Sequence, residues 1–302
     1  MNSGEKVVVI GGSGFLGSHL ADCLSDQGFA VTIYDLNVSP WLRKDQHMVC
    51  GDVLEFEKIQ DVVRGSAYVY HLAGVADIGQ AAANPRTTIE RNILGSTNVI
   101  EACVAAKVRR LLFASTVYVY SDKGSFYRVS KQAVESIIEA YGAEYGLEYT
   151  VLRYGSLYGP RAQVWNGLKR WVSQAVQGQR ILYPGTGEER REYIHVLDAV
   201  RLSVEALRPE FANQHLTLTG TQVLSIREVL TMIQEISSRR IEMDFTTEGS
   251  DYSMSHYALT PYRYTPRQGK KMVPSVFIDL GQGILDLIEE IHHETAGEAE
   301  HD

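Results

Sequence analysis

Cysteine is scarce in this 302-residue chain: Cys23, Cys50 and Cys103 are odd in number and scattered, with no close pair. That excludes a disulfide framework, and the three read as buried thiols of a protein kept in a reducing cytoplasm. Positive charge is also short. The formal net charge is −8, whereas proteins that grip a phosphate backbone carry a basic surface, so nucleic acid is not an expected partner. No apolar stretch approaches the ~20 residues needed to span a bilayer. The apolar run after Lys6 already reads as a first strand, so no secretory signal is expected ahead of it. Repeats and low-complexity tracts are missing, and no His/Cys/Asp set has metal-ligand spacing. The chain is expected to be cytoplasmic, with no metal and no membrane contact.

What is present is informative from the start. Val7-Val8-Val9-Ile10 runs into Gly11-Gly12-Ser13-Gly14-Phe15-Leu16-Gly17, a helical pattern follows, and Asp35 closes the next apolar run, Ala30–Tyr34. Strand, glycine turn, helix, strand and acid in this order spell a dinucleotide site. Gly11 and Gly14 allow a tight turn and close backbone approach to a pyrophosphate, and Gly17 lets the helix lie close on the sheet. The first N–H groups of that helix, with its positive dipole end, face the phosphates. Asp35 can accept hydrogen bonds from the adenosine ribose. Its charge repels a 2′-phosphate, and Leu36 and Asn37 supply no cation, so the expected cofactor is NAD rather than NADP.

Short apolar runs alternate with helical stretches through the first half. Strands are expected near 47–50, 67–71, 109–115 and 148–153, and helices near 55–64, 86–106 and 127–145. Such alternation predicts an α/β fold, a Rossmann-type doubly wound parallel sheet with helices on both faces. Ligands bind beyond the carboxyl ends of such strands, which places Gly11, Asp35, Asp52, Ala73, Ser115 and Arg153 near one edge. Beyond residue 155 Gly, Pro and aromatic residues break the rhythm. The expected division is a NAD-binding domain over 1–155 and a smaller α/β substrate lobe over 156–302, with a returning sheet element near 216–238. There Ser225-Ile226-Arg227-Glu228 has the form of a capping box. Trp165 and Trp171 read as lobe packing, His71 as packing, His195 as the orienter of a local turn, and the acidic end Glu294–Asp302 as a loose tail.

Tyr127 and Lys131 share one face of the helix after the fifth strand, at i and i+4. An ammonium beside a phenol favours the phenolate, and the tyrosine then serves as general base on a substrate hydroxyl. The lysine can also hold the nicotinamide ribose. Spacing alone carries little, because composition would place such a pair by chance. Position carries the reading: the pair follows a strand ending in Ala114-Ser115-Thr116, in a chain already marked for NAD.

With these residues the chain resembles the extended short-chain dehydrogenase/reductases, specifically the NAD-dependent epimerase/dehydratase group that acts on nucleotide sugars, UDP-glucose 4-epimerase-like. The resemblance runs over nearly the full length. Gly11, Gly14 and Gly17 match its Gly-x-x-Gly-x-x-Gly turn, with Phe15 and Leu16 inside it. Asp52-Val53 look like its adenine-contacting pair, and His71-Leu72-Ala73-Gly74 match the segment that lines the cofactor. Asn92 with Gly95-Ser96-Thr97 resembles its Asn-x-x-Gly-Thr helix. Phe113-Ala114-Ser115-Thr116, then Val119-Tyr120, match a strand end whose register makes Thr116 the catalytic hydroxyl, with Ser115 beside it toward substrate and cofactor. Tyr127 and Lys131 match the catalytic pair. Arg153-Tyr154-Gly155-Ser156 and Tyr158-Gly159-Pro160 look like a segment that puts Tyr154 by the cofactor and Ser156 by the substrate. Arg191–Val196 and Asp198 resemble a segment whose arginine binds the nucleotide diphosphate, and Asn166-Gly167-Leu168 a segment near the base. The resemblance implies a homodimer through the helices near 86–106 and 127–145, and a nucleotide-diphosphate-sugar substrate.

Three departures qualify it. Ser121 stands where glycine is usual, and Tyr127 follows Tyr120 by only seven residues, a short loop that suggests a roomier sugar pocket. Ser156 replaces a common asparagine. The usual C-terminal motif is replaced by Tyr262-Arg263-Tyr264-Thr265-Pro266-Arg267, where Arg263 or Arg267 is a candidate phosphate contact against a solvated surface.

The family's shared step is oxidation of a sugar hydroxyl, usually at C4. The 4,6-dehydratases carry an Asp-Glu pair just after the catalytic threonine; Val117 and Tyr118 stand there instead, which disfavours elimination of water. Inversion at C4 needs no further acid or base and is the expected reaction. Net oxidation or reduction at C4, as a dehydrogenase or ketoreductase, is one alternative. A non-catalytic NAD-sensing protein is another.

Overall fold

The apolar runs form strands and the amphipathic stretches between them form helices, in the alternation the sequence implies. The computed structural model describes residues 4–237, 242–246 and 269–299. The chain runs through β1 (Lys6–Ile10), α1 (Phe15–Asp26), β2 (Ala30–Asp35), β3 (His47–Cys50), α2 (Phe56–Val63) and β4 (Tyr68–His71). Then come α3 (Ile78–Ala83), α4 (Pro85–Ile89), a π turn (Glu90–Leu94), α5 (Gly95–Ala105), β5 (Arg110–Thr116), a 3-10 turn (Val117–Tyr120), α6 (Ser125–Tyr145) and β6 (Tyr149–Tyr154). The remainder holds β7 (Ser156–Tyr158), α7 (Gly167–Val176), β8 (Ile181–Pro184), β9 (Arg190–His195), α8 (Val196–Glu205), β10 (Gln214–Leu218), β11 (Val223–Ser225), α9 (Ile226–Ser237), β12 (Met243–Thr246), β13 (Lys270–Met272) and α10 (Leu280–Ala299).

One compact unit comprises the chain as far as Tyr154 with Val200–Leu218 and the strand β13. Its eight strands lie in the order β13-β10-β6-β5-β4-β1-β2-β3, all parallel. Strands covered on both faces read as continuous apolar runs; Val7, Val8, Val9 and Ile10 are wholly buried. Val8, Ile10, Val69, Leu111, Phe113 and Val151 form a core with Ile59, Val99, Ile100 and Ile138 of the helices. Truncating one of these to Ala would cost about 2–5 kcal/mol. Order reverses about β1, which has β2 on one side and β4 on the other, so Gly11, Asp35 and Leu72 all emerge at the switch point where ligands bind.

The expected single helix over 86–106 is interrupted. Asn92 sits in its π turn, 2% exposed; its amide accepts from Val75 N–H (2.6 Å) and donates to Val75 O (3.0 Å) and Ser130 Oγ (2.9 Å). A π turn inserts one residue into the helix, a distortion that recurs at functional sites.

The second unit comprises Gly155–Ala199, the described residues from Thr219 to Thr246, and the chain from Val273 onward. It has a mixed sheet, β11-β9-β7, and a parallel pair, β12-β8. Trp171, Val172, Ile181, Ile226, Val229, Ile233, Ile284 and Leu287 form its core. The capping box is made: Ser225 N–H donates to Glu228 Oε2 (2.7 Å), and Glu228 N–H to Ser225 Oγ (3.2 Å). His195 Nδ1 accepts from Leu197 N–H (3.3 Å), which fixes the local turn.

Three expectations are corrected. Trp165 is 44% exposed while Trp171 is buried, because Trp165 precedes α7 and Trp171 lies on its inward face. Cys50 is exposed and Cys23 partly so, since Cys50 ends the edge strand β3. Residues 294–299 continue α10, and Glu294 pairs with Lys169 (3.0 Å). Among the described residues no helix is long and apolar enough to cross a membrane.

Candidate active site

Gly11 leaves β1 with φ +87°, and a Cβ there would stand 2.5 Å from Ala73 N and 2.8 Å from Leu72 C. Leu72 and Ala73 N–H both donate to Ile10 O (2.8 and 3.1 Å), so the turn after β1 and the segment after β4 lie backbone to backbone. The α1 N-terminus has Gly14 as its cap, no side-chain cap bond and no acid in its first turn. A carboxylate there would occupy the place of a phosphate; its lack leaves the N–H groups and the dipole to an anionic ligand. Asp35 Oδ2 accepts from Ser13 N–H (3.0 Å) and Oδ1 from Asn37 N–H (3.3 Å). This holds the carboxylate beside the turn with lone pairs to spare for a diol. These groups fit NAD.

Asp52 and Val53 follow β3. Asp52 O accepts from Tyr34 OH (2.7 Å) and Oδ1 from Leu54 N–H (3.1 Å). Val53 is buried, and the missing side chain of Gly95 makes room for it: a Cβ there would lie 2.6 Å from Val53 Cγ2. Gly74, at φ +147°, lies against Asn92, 2.7 Å from a would-be Cβ to Oδ1. Asn92 therefore clasps the Leu72–Val75 segment to α6 through Ser130, whose Oγ donates to Tyr127 O (2.8 Å). Its amide is engaged inside the protein.

Thr116 ends β5, 5% exposed, and its Oγ1 accepts from Tyr118 N–H (3.2 Å). Thr116 stands near enough to the Tyr127 hydroxyl to favour its ionised form. Lys131 Nζ donates to Ala114 O (2.7 Å) and lies 5.9 Å from the centre of the Tyr127 ring. Burial of its hydroxyl pushes Tyr127 up to about 12, against the lowering effect of Thr116. Burial pulls Lys131 down to about 8, against Glu135. The shift is opposite to the expectation that the ammonium dominates the phenol, since desolvation is its largest cause. His71, wholly buried with Nε2 2.8 Å from Ser96 Oγ, is drawn down to about 3 by burial and by Lys131. It stays neutral.

The short connection after Tyr120 is tied down by α6: Arg128 Nη1 donates to Ser121 O (3.0 Å) and Gln132 Nε2 to Val119 O (3.0 Å). Gly124 and Ser125 both take positive φ, +98° and +47°. For serine this region is uncommon, and it marks a tightly drawn entry to the helix.

Two expected site residues are placed elsewhere. Tyr154 turns to the opposite face of the sheet from Arg153, where its hydroxyl meets Ser203 Oγ (2.6 Å) in the core. Ser115 Oγ donates to Glu135 Oε1 (2.5 Å), inside the protein. In the second unit, Asn166 caps α7 by accepting from Lys169 N–H (3.2 Å), and its Nδ2 donates to Leu157 O (2.9 Å). Ser156 lies opposite Tyr193 in the β7–β9 pair, and Arg191 on β9 is buried. Arg263 and Arg267 lie outside the described residues. Glu135 was not anticipated. Its signal was the Lys131-x-x-x-Glu135 spacing together with Arg153, a lone cation in an apolar strand that needs a buried counter-charge.

A parallel sheet whose switch point carries an uncapped glycine turn, with an acid at the end of the next strand, defines a protein of the Rossmann class with a site that fits NAD. The chain belongs to the NAD dependent epimerase/dehydratase family, whose sequence profile matches residues 7–217. It is 28% identical to a UDP-N-acetyl-alpha-D-glucosaminuronate decarboxylase of Bacillus cytotoxicus, over 80% of this chain and 84% of that one. It is also 28% identical to a UDP-glucose 4-epimerase of Azospirillum brasilense, over 80% of each chain. In fold it resembles the UDP-glucose 4-epimerase of Thermotoga maritima crystallised with UDP-glucose, with TM-score 0.81 and 23% identity over 96% of this chain and 99% of that one.

Proposed function

We propose that the protein is a nucleotide-sugar 4-epimerase, acting on a UDP-sugar through a transient 4-keto sugar. The observation that carries the reading is the convergence of Thr116, Tyr127 and Lys131 at the end of β5. Gly11, Gly14, Phe15, Leu16 and Gly17 would hold the pyrophosphate of NAD, Asp35 the adenosine ribose, Asp52 and Val53 the adenine, Leu72–Gly74 the length of the cofactor and Lys131 the nicotinamide ribose. When bound, NAD supplies the hydride acceptor and, oxidised, a positive charge. Tyr127 takes the proton of the C4 hydroxyl, Thr116 bonds to the same oxygen and Lys131, protonated, stabilises the phenolate. Inversion would then require only that the ketone turn, present its other face for hydride return and take the proton back from Tyr127. Val117 and Tyr118 offer no carboxylate for elimination of water. Arg191 is the candidate for the diphosphate, Ser156 and Asn166 for neighbouring substrate groups.

A second reading is favoured by the decarboxylase relative. A sugar bearing a C6 carboxylate becomes a β-keto acid once C4 is oxidised; it loses carbon dioxide to an enolate, whose C5 then takes up a proton. Purified protein with UDP-, GDP-, CDP- and dTDP-sugars, uronates included, read by NMR and mass spectrometry, separates the readings. Unchanged mass with inverted C4 supports the epimerase, and loss of carbon dioxide the decarboxylase. Loss of two hydrogens with NADH supports a dehydrogenase. Tight NAD binding with no turnover supports a sensor. Tyr127→Phe should lose about 10²–10⁴-fold in rate while keeping NAD; full turnover in that variant overturns the mechanism.

We also propose a homodimer. Ile89 and Leu94, flanking or ending the π turn, and Phe126 and Val129 of α6 are 41–53% exposed. Phe126 and Val129, three apart, share one face of α6, and Ile89 and Leu94 bracket the π turn beside it; exposed apolar side chains of this kind seek a partner. Sedimentation equilibrium with Leu94→Glu and Val129→Glu tests this; an unchanged mass refutes it.

A further inference from the structure

Helix α6 is stitched to the end of β5 at three consecutive strand residues. Tyr127 reaches Thr116, Lys131 reaches Ala114 O (2.7 Å), and Glu135 reaches Ser115 Oγ (2.5 Å). The three helix residues stand four apart, on one stripe. The third rung has no place in the reaction derived above, yet it is the most buried of the three: Glu135 is 1% exposed. Strand register explains its partner. Ser115 pairs with Arg153 across β5 and β6, so Arg153 meets Glu135 on the same face, Nε to Oε1 at 3.0 Å and Nη2 to Oε2 at 2.6 Å. Arg153 also donates from Nη1 to Tyr120 OH (2.6 Å) and lies 5.0 Å from that ring centre. The guanidinium thus ties Glu135 to the last residue of the 3-10 turn that follows Thr116.

We propose that Glu135, clamped by Arg153, is a positioning residue. It holds the Ala114–Tyr120 segment so that Thr116 faces Tyr127, and it sets a carboxylate one helical turn from the Lys131 ammonium, on the same stripe of α6. A buried ion pair is weak evidence for stability, because desolvation offsets its attraction; the value of this one lies in where it puts a negative charge. Lys131 is faced by Tyr127 and Glu135 from α6, by neutral His71 from β4, and by Arg153 of β6 across Glu135. Of these only Glu135 favours its protonated form.

The inference rests on the reading of Lys131 as part of the catalytic group, so its test reads the lysine directly. The full chain with NAD, labelled with ¹³C-lysine, is titrated by NMR, and the Lys131 Cε signal is assigned by its loss in Lys131→Arg. Glu135→Gln keeps shape and removes charge; its Lys131 midpoint should fall below that of the wild type, and Glu135→Asp should restore part of the difference. Since Glu135→Gln leaves Arg153 buried without its partner, Glu135→Gln/Arg153→Met is the second variant, with the midpoint again lowered. In parallel, the alkaline limb of kcat should move to lower pH in Glu135→Gln, with KM nearly constant. A Lys131 midpoint at the wild-type value in either folded variant overturns the proposal. Lack of turnover by the wild type with every sugar tested would overturn the epimerase reading instead, and leaves the titration valid.

Discussion

The glycine turn offers a quantitative test at Gly17. A Cβ at this position would stand 2.7 Å from Gly12 Cα and 2.9 Å from Gly11 C, and closer still to Gly11 O. All three are backbone atoms, so no side chain can swing away. The first of these gaps falls about 0.7 Å short of the 3.4 Å at which ordinary contact begins, and overpacking on this scale costs about 1–3 kcal/mol. That strain has two outlets. If the turn stays, Gly17→Ala loses stability; if the turn moves away from α1, the pyrophosphate loses its N–H contacts, and affinity falls by roughly 5- to 150-fold over the same energy range. Thermal unfolding and calorimetric titration with NAD measure the two losses, which together should make up the strain. Gly14→Ala is the control: with φ −78° and a Cβ 3.4 Å from Gly11 O, it should leave folding nearly unchanged. A Gly17→Ala protein with wild-type unfolding midpoint and wild-type NAD affinity would refute the packing argument.

Other expectations follow from burial and charge. Lys131 is held below its ordinary 10.5, at about 8, so burying its charge destabilises the fold by on the order of 3 kcal/mol below pH 8. Between about pH 8 and 10.5 the unfolded chain keeps a proton that the folded one releases, so this penalty fades as pH rises. Lys131→Met should therefore be inactive yet more stable than the wild type at pH 7, with the gain gone above about pH 10.5; urea unfolding that shows it less stable at pH 7 rejects desolvation as the dominant cause. Asp35→Ala with Leu36→Arg should raise NADP affinity relative to NAD in calorimetric titrations, and unchanged selectivity would remove Asp35 as the selector. Tyr154→Phe breaks the 2.6 Å bond to Ser203 and should cost roughly 1 kcal/mol of stability with NAD affinity intact; a large loss of NAD affinity would return Tyr154 to the cofactor site.

How much was legible followed from the range of the interaction. The parallel sheet, the glycine turn, the Tyr127–Lys131 face and the Ser225 capping box are set by neighbours within a few residues, and each could be read. The direction of Tyr154 was not, because it depends on which face of β6 the register assigns. The same register gives Arg153 to Glu135 and takes Ser115 away from the substrate. The Tyr127 shift runs opposite to what spacing implies for a related reason: spacing reports the neighbouring charge, whereas desolvation depends on what the whole fold packs around the phenol. The π turn at Asn92 had no local mark, since its cause is the backbone of Val75, seventeen residues away.

One edge of the main sheet comes from late in the chain. β10 lies beside β6 and β13 beside β10, and β13 begins only at Lys270. A chain made only as far as Tyr154 holds six strands of the main sheet, β1 to β6, yet β6 then stands as a bare edge, open to pairing with any other strand. Expression of residues 1–155 alone should yield aggregates, and a nascent chain would need shielding of that edge until β10 and β13 emerge. Completion of the sheet thus waits for Lys270–Met272.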